Sequence, residues 1–105
     1  MKVIIFGGTS EGRMLSECLC RNKIAHTLCV ATDYGEEVLE PSEYAHVLQG
    51  RLDTQQMADL IQSEQCLVVV DATHPYAVEV SKNIRKACEM TEMKYLRFLR
   101  AEEAV

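Results

Sequence analysis

Short apolar runs rich in β-branched residues alternate with segments of helical spacing along this whole chain, and few architectures accommodate that alternation. Lys2 to Phe6 reads as a buried strand, and Glu11 to Lys23 as a helix. That helix has Met14, Leu15, Cys18 and Leu19 on one face and Arg13, Glu17 and Arg21 opposite. Thr9 or Ser10 can cap its start, and Lys23 closes it with a cation at the negative end of the dipole. His26 to Ala31 is a second strand, and Thr32 to Tyr44 a loop with room for a short helix. Ala45 to Gln49 is a third strand, closed by Gly50. Asp53 and Gln56 then form a capping box for a helix with Met57, Leu60 and Ile61 on one face. Cys66 to Asp71 is unbroken and apolar up to its final acid, the pattern of a strand covered on both faces. Pro75 suits a first helical turn, and Ala77, Val80, Ile84, Ala87 and Cys88 continue that helix. Tyr95 to Leu99 is the fifth strand.

Such alternation builds right-handed βαβ units and a parallel sheet. The expected fold is α/β: a Rossmann-like, doubly wound, five-stranded parallel sheet of order 3-2-1-4-5 with helices on both faces. The chain has 105 residues and 11.9 kDa, enough for a single domain over residues 1–105. Ligands bind such sheets beyond the carboxyl ends of the strands, where the winding direction reverses. That point lies between strands 1 and 4, so the loops Gly7–Gly12 and Ala72–Tyr76 should meet there.

Composition narrows the partners. A net charge of -5 leaves no basic stripe for a nucleic-acid phosphate backbone. No apolar run is long enough to span a membrane, and the N-terminus runs straight into glycines without a signal-type core. Five scattered cysteines, an odd number, read as reduced thiols packed in or near the core of a cytoplasmic protein. Cys18 and Cys20 face different sides of a helix, so no metal site is expected.

The first loop is a variant of the dinucleotide fingerprint, which needs a tight turn and close backbone approach to a phosphate. Gly7 and Gly12 fit its first and third positions; Thr9 takes the second, with Gly8 just before it. The opening of the helix supplies amides and a positive dipole end, and Thr9 and Ser10 offer hydroxyl donors. A plain strand-to-helix turn is the competing reading. Thr32 stands at the end of strand 2, where an acid would bind a ribose 2′-hydroxyl, with Asp33 one place later. A hydroxyl there suits a 2′-phosphate better, which favours NADPH over NADH. Arg51 can supply the matching charge, or can be an ordinary solvated arginine.

In the second loop, His74 beside Asp71 and Thr73 has the residue types for acid–base work; helix capping by Asp71 or Thr73 is the plainer alternative. His26 and His46 lie in strands with no partner at ligand spacing and read as structural. Glu36, Glu37, Glu40 and Glu43 read as a solvated acidic loop.

The segments VIIFGGTSEGRMLSE at 3–17, VVDATHPYA at 69–77 and YLRFLR at 95–100 resemble the precorrin-6A reductases of cobalamin biosynthesis, including the cobalt-precorrin-6A reductases. The resemblance runs through the whole chain, and the D-A-T-H-P-[FY]-A segment is far more specific than the glycine loop. It implies an NADPH-dependent oxidoreductase that reduces one double bond of the precorrin-6A macrocycle to give precorrin-6B, adding a hydride to one ring carbon and a proton to its neighbour. It implies two Rossmann-like domains with the active site between them, this chain being the N-terminal half. On that basis Gly7, Gly8, Thr9, Ser10 and Glu11 belong to the cofactor loop. Thr73, His74, Pro75 and Tyr76 line the cleft beside the nicotinamide or the tetrapyrrole, with His74 the catalytic candidate. Tyr76 is often Phe in the family, which argues against a phenol proton donor. Arg51, Arg97 and Arg100 are candidates to meet substrate carboxylates. A half alone is expected to self-associate through the face its missing domain would cover. The alternative function is a non-catalytic NAD(P)-binding regulatory module, which needs no histidine loop in the cleft. A phospho-receiver lacks the required acidic pair here, and a methyltransferase cofactor lacks the phosphates this loop suits.

Overall fold

The computed structural model describes residues 2–31 and 42–99. Strand β1 is Lys2–Phe6, followed by helix α1, Ser10–Arg21. Strands β2, His26–Val30, and β3, Ala45–Gln49, precede helix α2, Thr54–Glu64. Strand β4 is Cys66–Asp71, helix α3 is Val78–Thr91, and strand β5 is Tyr95–Arg97. The strands form one sheet of order β3-β2-β1-β4-β5, and every pairing is parallel. The Rossmann-like order expected from the alternation is therefore the one observed, with the winding reversal between β1 and β4.

Alternation along the strands sorts the side chains into two cores. Ile4, Phe6, Cys29 and Val69 turn to one face and pack with Met57, Ala58 and Ile61 of α2 and Ile84, Ala87 and Cys88 of α3. Ile5, Leu28, Val30 and Val70 turn to the other face, against Leu15 and Leu19 of α1. Among the described residues, helices thus cover both faces, α2 and α3 on one side and α1 on the other.

Four details differ from the sequence reading. The first helix spans Ser10–Arg21, and Lys23 lies beyond it with φ 57, in the left-handed region. Strands β2 and β5 stop at Val30 and Arg97, short of Ala31 and Leu99. β4 is not covered along its whole length: the register with β1 shifts between Lys2 and Val3, and Leu67 is left 56% exposed. Pro75 does not open the last helix. A turn closed by the Ala77 N–H donating to the His74 carbonyl (2.9 Å) intervenes, and Ala77 caps α3 without a side-chain bond. Thr32, Asp33, Glu36, Glu37, Glu40 and Arg100 lie outside the described residues.

The histidines read as structural separate. His26 is buried and links β2 to α1: its Nδ1–H donates to the Ile24 carbonyl (2.9 Å), so Nε2 accepts from the Ser16 hydroxyl (2.7 Å). His46 is exposed on the edge strand β3. The cysteines are all free thiols; Cys29, Cys66 and Cys88 are buried, Cys18 and Cys20 half-buried.

Candidate functional site

The two unusual loops meet at the reversal point. Thr9 is the N-cap of α1, accepting from the Gly12 N–H at 3.4 Å. Its hydroxyl donates across the sheet to the Ala72 carbonyl at 2.7 Å. The Ala72 N–H in turn donates to the Phe6 carbonyl (2.8 Å), so the loops after β1 and β4 are fastened together.

The glycines have separate tasks. Gly8 sits at φ +108 with open space around a would-be side chain, a backbone state that L residues rarely adopt. Gly12 is inside the first turn of α1, and a Cβ there would stand 2.9 Å from the Gly7 Cα. Its small size lets the helix press against the strand end, the packing role of the third fingerprint glycine. The hydroxyls expected to reach a phosphate are otherwise engaged. Thr9 spends its hydrogen on Ala72, and Ser10 donates to the Glu11 carboxylate. What this loop offers an anion is therefore its backbone and helix dipole rather than those two hydroxyls.

Beneath the loops lies a cavity of about 340 Å³ on the α2/α3 face of the sheet. Phe6, Cys29, Met57 and Val80 give it an apolar floor, and Gly7, Val30, Gly50, Arg51 and Thr73 stand at the strand ends. This places Arg51 with Gly7 around one space. Glu79 and Asn83 also line the cavity and were missed from the sequence. They are four apart on one face of α3, a spacing that carries meaning only once that face is known to look at a site. An apolar slot with a few convergent polar groups beside a glycine turn and a helix N-terminus fits a dinucleotide. The Cys29 thiol is pushed up to about 12 by burial and by the charge of Glu64, so it is inert packing in the cavity floor.

The second loop is governed by Asp71, whose carboxylate is fully buried at the end of β4. Oδ1 accepts from the Thr73 N–H (3.1 Å), the Thr73 hydroxyl (2.6 Å) and Arg97 Nη1 (3.1 Å). Oδ2 accepts from the Tyr95 hydroxyl at 2.7 Å. Burial is the largest influence and opposes ionisation, but hydrogen bonds from Ser81, Thr73 and Tyr95 together outweigh it and hold the carboxyl below its ordinary range. Burial, then the bond to Asp71, keeps the Tyr95 phenol above its usual value and protonated. Asp71 therefore does not cap α3. Arg97 Nη1 also donates to the Asp71 carbonyl (2.9 Å), so this end of the guanidinium serves the ion pair. No local signal could reveal this hub, because Tyr95 and Arg97 lie 24 and 26 residues away in the chain.

His74, Pro75 and Tyr76 project from this anchored base and are exposed, Tyr76 by 87%. The His74 and Tyr76 rings lie 5.0 Å apart at 51°, and the Tyr76 N–H donates to His74 Nδ1 at 3.0 Å. Among the described residues no cluster of His, Cys, Asp and Glu could hold a metal, and no helix is long and apolar enough to cross a membrane.

Comparison with known proteins shows what the chain is similar to. A family described as precorrin-6x reductase CbiJ/CobK matches residues 2–105. The cobalt-precorrin-6A reductase of Salmonella typhimurium is 38% identical over 101 residues, covering 96% of this chain and 38% of that protein. That of Methanocaldococcus jannaschii is 33% identical over 107 residues, covering 100% of this chain and 42% of its own length. A solved structure of CobK precorrin-6A reductase superposes with a TM-score of 0.80 at 25% identity, over 96% of this chain and 39% of that one. The chain thus spans about two fifths of the length of these relatives.

Proposed function

This chain belongs to the precorrin-6x reductase family, and from that premise we propose that it forms the cofactor-binding half of a cytoplasmic NADPH-dependent precorrin-6A reductase. The reaction is reduction of one double bond of the precorrin-6A macrocycle, or of its cobalt form, to the 6B level. The observation that carries the reading is the junction of the two loops: the Thr9 hydroxyl on the Ala72 carbonyl brings the glycine turn and the Thr73–Tyr76 segment to one edge, above the cavity.

The residues divide between two ligands. Gly7, Gly8 and the N-terminus of α1 would hold the pyrophosphate, with Thr9, Ser10 and Glu11 shaping the turn. Arg51, together with Thr32, would read the 2′-phosphate. Bound there, the dinucleotide supplies a hydride. Thr73, His74, Pro75 and Tyr76 would face the tetrapyrrole, and a second domain would complete the cleft opposite them.

The test is consumption of NADPH by the protein as encoded in full. One NADPH should be oxidised per macrocycle when precorrin-6A or its cobalt form is supplied, and none without it. Tight dinucleotide binding with no turnover of either macrocycle would contradict the reductase and leave the regulatory module standing.

A further inference from the structure

We infer that the His74 ring keeps Nδ1 as an acceptor and presents its N–H at Nε2, and that this N–H grips an oxygen of the tetrapyrrole, a side-chain carboxylate, rather than supplying the proton of the reduction. The second half of this statement rests on the reductase reading above; the first half does not.

A backbone N–H can only donate, so the 3.0 Å contact from the Tyr76 N–H to Nδ1 requires a lone pair on Nδ1. In a neutral ring the hydrogen then sits on Nε2. The backbone fixes this geometry from both sides. Downstream, the Ala77 N–H closes the turn on the His74 carbonyl, and the Tyr76 ring packs 5.0 Å from the imidazole. Upstream, Thr73 is bound twice to the buried Asp71 carboxylate.

The imidazolium form would set an Nδ1–H against the Tyr76 N–H, donor against donor. A proton-delivering His74 would therefore have to break its own turn contact in every catalytic cycle. The Nε2–H is a hydrogen-bond donor on an exposed ring. A carboxylate is the acceptor such a donor suits best, because a bond to a charged group is stronger than one to a neutral group. The proton added to the macrocycle then comes from another group or from water.

Two measurements on the protein as encoded in full test this. Nitrogen NMR of histidine-labelled protein at about pH 8, above the ordinary titration range of imidazole, should show a His74 ring unprotonated at Nδ1 and protonated at Nε2. An Nδ1–H tautomer, or a fast mixture of the two, overturns the assignment whatever the enzyme does. The second measurement is turnover with His74→Ala and His74→Gln. The glutamine amide carries an N–H at the reach of Nε2 but cannot relay a proton. His74→Ala should raise KM for the macrocycle about tenfold or more with kcat little changed, and His74→Gln should restore most of the loss. Collapse of kcat in both variants at unchanged KM would make His74 the proton donor, and no change in either constant would remove it from the site; both overturn the inference. Absence of turnover by the unmodified protein would instead count against the reductase reading, while the NMR result still decides the tautomer.

Discussion

At the scale of single residues, the buried carboxylate of Asp71 controls the end of β4. Asp71→Asn removes the charge that Arg97, Thr73 and Tyr95 surround. The expected loss is about 3 kcal/mol in urea unfolding at neutral pH, the cost of breaking a buried ion pair by one partner. The sign with pH follows from its lowered folded pKa. The contribution is fully present above the unfolded aspartate value, about 3.9, and fades as pH falls through the folded value. The variant should therefore show a flatter acid limb than the parent, which a series of unfolding curves between about pH 2 and 6 reads directly. A second check concerns the thiols. Burial first, then neighbouring charge, pushes Cys29 up to about 12 and Cys88 up to about 11. Alkylation of native protein at about pH 8 should label Cys18 and Cys20 and spare Cys29, Cys66 and Cys88, as mass spectrometry of the peptides would show. Apolar burial of these cysteines was legible in the sequence because they sit inside periodic segments. The role of Asp71 was not, since Tyr95 and Arg97 come from a strand that only the fold brings near.

At the scale of elements, α1 is placed by its two ends. Gly12→Ala would set a Cβ 2.9 Å from the Gly7 Cα, backbone against backbone, so the helix must back away from the sheet. A loss of about 1–3 kcal/mol is expected, together with weaker dinucleotide binding, since the amide end of the helix moves with it. Calorimetry of unfolding and of binding would separate the two effects. The C-terminus of α3 offers the opposite sign. Glu92 closes it in the left-handed region at φ 54, where glycine is the usual occupant. Glu92→Gly should be neutral to stabilising by up to about 1 kcal/mol, and its Tm should not fall. Strand and helix identities were readable because apolar period and length separate them cleanly. The Asp53–Gln56 capping box was readable as well, its two reciprocal bonds both 2.8 Å. The start of α3 was not. Pro75 favours a first helical turn on its own, but the His74–Ala77 turn takes that proline and delays the helix to Val78.

At the scale of the molecule, strand order alone fixed where a site belongs, and the cavity, the glycine turn and the exposed His74–Tyr76 segment all stand at that edge. Which ligand lies where depends on side chains such as Arg51, Glu79 and Asn83, whose common cavity no linear pattern displays. Arg51→Ala should weaken NADPH binding by about tenfold or more and leave NADH binding nearly unchanged, in line with loss of a charged hydrogen bond; fluorescence titration with both dinucleotides measures the ratio. The central claim, transfer of a hydride from this cofactor to a precorrin ring, is tested most directly by isotope. The protein as encoded in full should be given precorrin-6A, or its cobalt form, with NADPH deuterated at the transferable position of the nicotinamide. Mass spectrometry of the product should show one deuterium on the macrocycle and one further hydrogen from solvent. A macrocycle recovered unreduced, or reduced with no deuterium from either labelled face of the nicotinamide, would contradict the account.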